Sequence, residues 1–271
     1  VSTPPGGVDP FLPQRLRSEA IVTEGEQQVG RAWFRSMTRW TDRFRGRVTG
    51  GEAINPGVLR SAEARRFWTT EVDQRVVPAI GNVLSDVWRR VTRRGDPETD
   101  LWTSAYLNEA GNRMRRIPDE VYALVVARVE AGIRDGDDLD TVAADIDTIL
   151  TATGSERWPN RAMVVARTET LGAVNAGAFR SAQLEAEARG DVAPAKVWIA
   201  TADPRTRPTH READKQRTLL DSPFRVGGHD LMFPGDPQGP AQEVIQCRCS
   251  LLPVVLGETL DWTDRQNPTE D

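Results

Sequence analysis

The chain has 271 residues, 38% hydrophobic and 28% charged, with a formal net charge of −5, and is long enough to bury one large core or two modest ones. No apolar run approaches the roughly 18 residues of a membrane-spanning helix. The opening residues lack the charged-apolar-small pattern of a signal peptide, and two cysteines one residue apart make no disulfide framework. The expectation is a soluble protein from a reducing cytoplasm.

Of the 35 basic residues only Lys196 and Lys215 are lysines, an arginine bias that a GC-rich genome produces by itself. Charge is nevertheless segregated: residues 28–94 carry 14 arginines against six acidic residues. Such an excess suits an extended anion, double-stranded DNA being the obvious one, and equally suits a solvated helical face.

Residues 1–16 read as an extended arm, because Pro4, Pro5, Pro10 and Pro13 with Gly6 and Gly7 oppose helix. Residues 17–156 read as an all-helical scaffold. In its first helix Trp33, Met37, Trp40 and Phe44 share one face, the spacing of a buried stripe. Arg31, Arg35, Arg39, Arg43 and Arg47 recur every four residues on another face and are candidates for non-specific nucleic-acid contact. After a glycine-rich loop, Trp68, Val72, Val76, Ile80, Val83, Val87 and Val91 follow one face of a second long helix, which Pro78 should kink or divide. Three shorter helices follow, at about 98–116, 118–134 and 138–152, with Pro or an acidic residue near each start.

Trp158-Pro159-Asn160 opens another long helix, to about Arg189, with a centre of small residues from Ala166 to Ala178 that lets a second backbone approach closely. Beyond it the period becomes that of strand at Val197-Trp198-Ile199. A hairpin is expected around Gly227-Gly228, and a last strand over Val244–Val255, interrupted at Pro253. The fold class is therefore mainly α, an N-terminal helical region followed by a small C-terminal α+β domain. Residues 157–256 form the second part, and residues 257–271 an acidic tail.

Both histidines, His210 and His229, and both cysteines, Cys247 and Cys249, fall within residues 196–253. Imidazole nitrogen and thiolate sulfur are the ligands of four-coordinate structural zinc, and a unit of about 60 residues with much loop commonly needs a metal staple or a scaffold to dock on. Zinc held by His210, His229, Cys247 and Cys249 is one reading. Against it, Cys-x-Cys is a tight spacing, and on a flat strand the sulfurs would lie on one face but far apart. The alternatives are buried thiols with hydrogen-bonded histidines, or a mixed set that includes Asp203 or Asp230. A metal-dependent nuclease or hydrolase, with His210 and Asp203 near the ion, is the enzymatic alternative.

The order Ala166-Arg167-Thr168-Glu169, Asn175-x-Gly177, Lys196-x-Trp198, Asp203-x-Arg205-Thr206-Arg207-x-x-His210, Pro234-Gly235-Asp236-Pro237 and Cys247-Arg248-Cys249 resembles the phage Mu F-like, or phage head morphogenesis, minor capsid proteins. The resemblance covers about residues 160–253 and marks Arg167, Glu169, Asn175, Trp198, Asp203, Arg205 and Arg248 as motif residues. It implies a low-copy virion protein without enzymatic activity, inside the capsid and assembled in the bacterial cytoplasm. The implied partners are the portal protein, the major capsid or scaffolding protein, and packaged DNA. Some relatives carry Cys-x-x-Cys where this chain has Arg207 and His210, and others a histidine where it has Val244.

Overall fold

The computed structural model describes residues 12–92, 101–151, 157–189, 194–201 and 204–255. Most of the expected arm and the whole expected tail lie outside them. Seven helices come first: α1 (Leu12–Thr49), α2 (Ala62–Glu71), α3 (Val77–Thr92), α4 (Leu101–Met114), α5 (Ile117–Asp135), α6 (Leu139–Leu150) and α7 (Arg157–Arg189). A small mixed region follows, with β1 (Pro194–Ile199), α8 (Pro208–Glu212), β2 (Arg217–Leu219), β3 (Phe224–Val226), β4 (His229–Leu231), α9 (Ala241–Val244) and β5 (Ser250–Val255). Helix α1 begins inside the expected arm. Its Pro13 is the second helical residue, where a missing N–H costs nothing because the first-turn N–H groups have no intrahelical acceptor. Among the described residues no helix is long and apolar enough to cross a membrane.

The chain divides into two compact units, one of residues 26–81 and 101–166, the other of residues 1–25, 82–100 and 167–271. Three of the boundaries fall within α1, α3 and α7. In the helical unit the aromatic stripe of α1 is core: Trp33, Met37, Trp40 and Phe44 are fully buried, with Trp68 of α2. The Trp68 ring meets Trp33 and Trp40 edge-on at centroid distances of 6.5 and 6.2 Å, an arrangement that aromatic quadrupoles favour. Two of these buried indole N–H groups meet backbone carbonyls. Trp40 donates to Ala64 O at 2.9 Å and Trp68 to Met114 O at 2.8 Å. The long helix is divided just ahead of Pro78, with α2 ending at Glu71 and α3 beginning at Val77. A π-type turn at Val72–Val76 precedes it, with Val77 N–H reaching back to Val72 O, and widening the turn accommodates the proline ring.

In the second unit a three-stranded antiparallel sheet has the order β2-β1-β5, and β3 and β4 form a separate hairpin. Both turn residues of that hairpin, Gly227 and Gly228, have positive φ (57° and 82°), as a two-residue turn matched to strand twist requires. Pro253 does not interrupt β5, which runs from Ser250 to Val255 and pairs Pro253 with Lys196. As an edge strand β5 has one row of N–H groups with no ladder partner to lose. The small-residue centre of α7 receives a backbone as its sequence suggests: a Cβ on Gly235 would lie 2.9 Å from Gly172 Cα.

At the centre of the sheet Lys196 is fully buried. Its Nζ donates to Met232 O at 2.8 Å and lies 4.7 and 5.1 Å from the Phe179 and Phe224 ring centroids. Burial lowers its pKa from 10.5 to about 8, against the opposing pull of Asp221 and Asp236. Between those values the unfolded chain binds more protons than the folded one, so this residue's contribution to stability rises with pH across that window. The urea midpoint of the wild type relative to Lys196→Met is therefore expected to increase from pH 8 to pH 10. A difference that stays flat would overturn this account.

Candidate metal centre

The expected long last strand is instead α9, an irregular loop over residues 245–249, and then β5. Four hydrogen bonds with distant side chains shape that loop. The Arg207 guanidinium donates to Ile245 O, and Gln246 N–H donates to Thr168 Oγ1 at 2.9 Å. Thr201 Oγ1 donates to Arg248 O at 2.6 Å, and Asn175 Nδ2 donates to Cys249 O at 3.0 Å. Gln246 takes a left-handed conformation with φ 57°, which bends the chain just before Cys247. The bend brings together two sulfurs that a flat strand would have held apart.

Facing them is His210, on the short helix α8 that Pro208 starts. Its Nδ1 lies 3.3 Å from Cys249 Sγ and 3.8 Å from Cys247 Sγ. All three residues are buried, with 2–3% of their surface exposed, and their donor atoms lie within 4.8 Å of one another. Ligand atoms around tetrahedral zinc are about 3.6 Å apart, given bonds of about 2.0–2.3 Å, so the observed spacing fits a single ion of that size. The electrostatics favour a thiolate here. The hydrogen bond from the Cys247 thiol is the largest of the effects that lower the Cys249 pKa to about 5. The same bond to Cys249, together with burial, pushes Cys247 well above the ordinary thiol value. One sulfur is therefore anionic at neutral pH, and coordination would have to displace the proton from the other.

His229, expected as the fourth ligand, stands apart. It begins β4, half-buried, with Nε2 3.3 Å from Gln242 Nε2. Among the described residues the cluster has three members, not four. Asp230 does not join it either, since it pairs with Arg225 at the surface at 2.8 Å, and Asp203 lies outside the described residues. On the other side of His210, Nε2 meets Glu243 Oε2 at 2.9 Å, and the Trp198 ring stands edge-on to the imidazole at 5.4 Å. Glu243, Thr168, Thr201 and Arg207 were not singled out in the sequence as site residues. Thr168 and Arg207 stand inside the quoted motifs with no role attached, and the signal for Glu243 was a lone acidic residue four positions before Cys247.

Several motif residues prove to be scaffolding around the cluster. Asn175, buried on α7, donates through Nδ2 to Pro234 O and Cys249 O, both at 3.0 Å, and accepts from Leu251 N–H at 2.9 Å. Trp198 is fully buried and Glu169 is 1% exposed. Arg167 and Arg248 are half-buried, and Arg205 is exposed. In the helical unit three residues of the arginine row are engaged internally. Arg43 and Arg47 lie 3.1 and 2.8 Å from Glu63, and Arg39 lies 3.6 Å from Glu71. Hydrogen bonds from Arg47 and Arg43 hold the Glu63 carboxyl below its ordinary pKa. Arg31 and Arg35 are exposed and have no ion-pair partner among the described residues.

Comparison with known proteins points the same way as the motif order. Residues 124–252 match the family described as phage Mu protein F like protein, a span that runs from α5 into β5 and holds all three members of the cluster. A curated protein, NAD(+)--arginine ADP-ribosyltransferase EFV of Enterococcus faecalis (strain ATCC 700802 / V583), is 30% identical over 145 residues, which are 54% of this chain and 28% of that protein. No solved structure matches the chain. Over residues 124–252, a little under half of its length, the chain is similar to the family of phage Mu protein F like proteins.

Proposed function

We propose that the protein acts structurally in phage head morphogenesis, as a minor capsid protein associated with the portal inside the capsid and in contact with packaged DNA. The family match over residues 124–252 carries this reading. In it, His210, Cys247 and Cys249 hold a zinc ion that staples the small C-terminal region, and no catalytic step is assigned to them. The burial of all three residues to 2–3% exposure favours this over a metal-dependent hydrolase, which needs an open coordination position that substrate can reach. The similarity to the ADP-ribosyltransferase spans 28% of that protein's length and carries no activity over to this chain.

The test is genetic and compositional. A stop codon in this gene of the parent phage is expected to give heads that lack the protein and fail to mature, with the wild-type protein found at low copy in purified capsids by mass spectrometry. Normal, infectious particles without the protein would reject the reading.

DNA contact is testable separately. Because Arg39, Arg43 and Arg47 already face Glu71 and Glu63, Arg31 and Arg35 should carry most of any phosphate contact on this face. The double variant Arg31→Ala/Arg35→Ala is expected to lower the slope of log binding constant against log salt by about 1.8, from about 0.9 per phosphate contact. Arg43→Ala/Arg47→Ala should change it less. Absence of binding by the wild type at low salt would reject the DNA contact and leave the head role standing.

A further inference from the structure

Glu243 is 5% exposed, and its surroundings form a closed cage. Its Oε2 lies 2.9 Å from His210 Nε2 and accepts from Thr209 Oγ1, also at 2.9 Å. Above it sits the β3–β4 turn, where a Cβ on Gly227 would come within 2.4 Å of Glu243 Oε1. Only glycine combines the positive φ of that turn with room for the carboxylate. The cage thus takes one wall from α8, one from the hairpin and its floor from α9.

We infer that Glu243 is a positioning residue that decides which nitrogen of His210 faces the sulfurs. The inference rests on the metal-holding reading of the cluster. A carboxylate only accepts hydrogen bonds, so the nitrogen beside it carries a proton. That nitrogen is Nε2, which leaves the lone pair of Nδ1 directed at Cys247 and Cys249. Ligation through Nε2 is closed by the oxygen 2.9 Å away. The assignment is therefore an Nδ1 ligand with its opposite N–H held by an outer carboxylate, an arrangement that fixes ring orientation and raises ligand basicity.

The chain's two histidines make the test clean. In the full-length His229→Gln protein, His210 supplies the one side-chain imidazole signal in a long-range proton–nitrogen spectrum. Nε2 is expected to carry the proton both in the metal-free protein and after zinc addition. Zinc affinity, measured against a competing chelator, is expected to fall about 10- to 100-fold in Glu243→Ala. Glu243→Gln should recover part of the loss, because its amide oxygen still accepts. If the alanine variant does not fold, the spectrum of the wild-type cage and the affinity of Glu243→Gln carry the test. Failure of the wild type to take up zinc overturns the metal reading and this inference with it. Zinc uptake with the proton on Nδ1, or with affinity unchanged in the alanine variant, overturns the role of Glu243 alone.

Discussion

Asn175→Ala is expected to destabilise the C-terminal region by about 4 kcal/mol, a larger effect than removing almost any apolar side chain of similar size there. The reasoning counts what the side chain leaves behind. Its amide occupies a buried position on α7 and serves three backbone groups at once: the carbonyls of Pro234 and Cys249 and the N–H of Leu251. Each group stranded without a partner costs about 1–3 kcal/mol, well above the net gain of an average hydrogen bond. Three together place the variant among the severe point mutants. Asn175→Asp separates geometry from volume. It keeps an acceptor for Leu251 but turns carboxylate oxygens toward two carbonyls, so it should lose nearly as much as alanine. Urea unfolding gives the magnitude, and amide exchange at Leu251 locates it. A loss below about 1 kcal/mol would mean that water or a local shift restores the bonds.

The same residue shows where sequence reasoning reached and where it stopped. The aromatic stripe of α1, the hairpin at Gly227-Gly228 and the smooth centre of α7 were legible because each depends on neighbours a few residues away. Asn175 could be marked through its family motif, but its purpose could not be read, since its partners are 59 to 76 residues away. The loop carrying the cysteines is the sharper case. Local propensity suggests one long strand from Val244, yet Arg207, Thr168, Thr201 and Asn175 hold residues 245–249 out of any ladder. Tertiary hydrogen bonds override the local preference, and they turn an unfavourable Cys-x-Cys spacing into convergent sulfurs. His229 lies outside the cluster for a related reason. Composition grouped it with the other three, but the hairpin register sets it opposite Val226 and beside Gln242. The unit boundaries were hidden because α1, α3 and α7 each pass from one unit to the other, and helical periodicity carries no mark of a change of partner.

Removing metal should have the other large effect, and its distribution along the chain is as informative as its size. If His210, Cys247 and Cys249 hold zinc, ion binding to the folded chain adds about 4 kcal/mol at a free concentration a thousandfold above Kd. A chelator should then lower the melting temperature by about 10 °C, taking about 2–4 °C per kcal/mol for a domain of this size. The loss should concentrate in residues 194–255, because the loop at 245–249, α8 and the β3–β4 hairpin meet around the cluster and its Glu243 cage. Hydrogen exchange would show those segments losing protection while the Trp33, Trp40 and Trp68 core of the helical unit keeps it. Cys249→Ser should reproduce most of the shift and make the protein indifferent to chelator. The sign under acid follows from the same site. Cys249 is held near pKa 5 in the fold and has an ordinary value of 9, so its contribution is complete above pH 9 and is lost as pH falls toward 5. Zinc competes with protons for the sulfurs and should flatten that loss over neutral pH. No zinc in the purified protein, no chelator shift and a Cys249→Ser variant as stable as the wild type would leave the cluster as two buried thiols beside a hydrogen-bonded histidine, with the region held by Asn175 and the loop contacts alone.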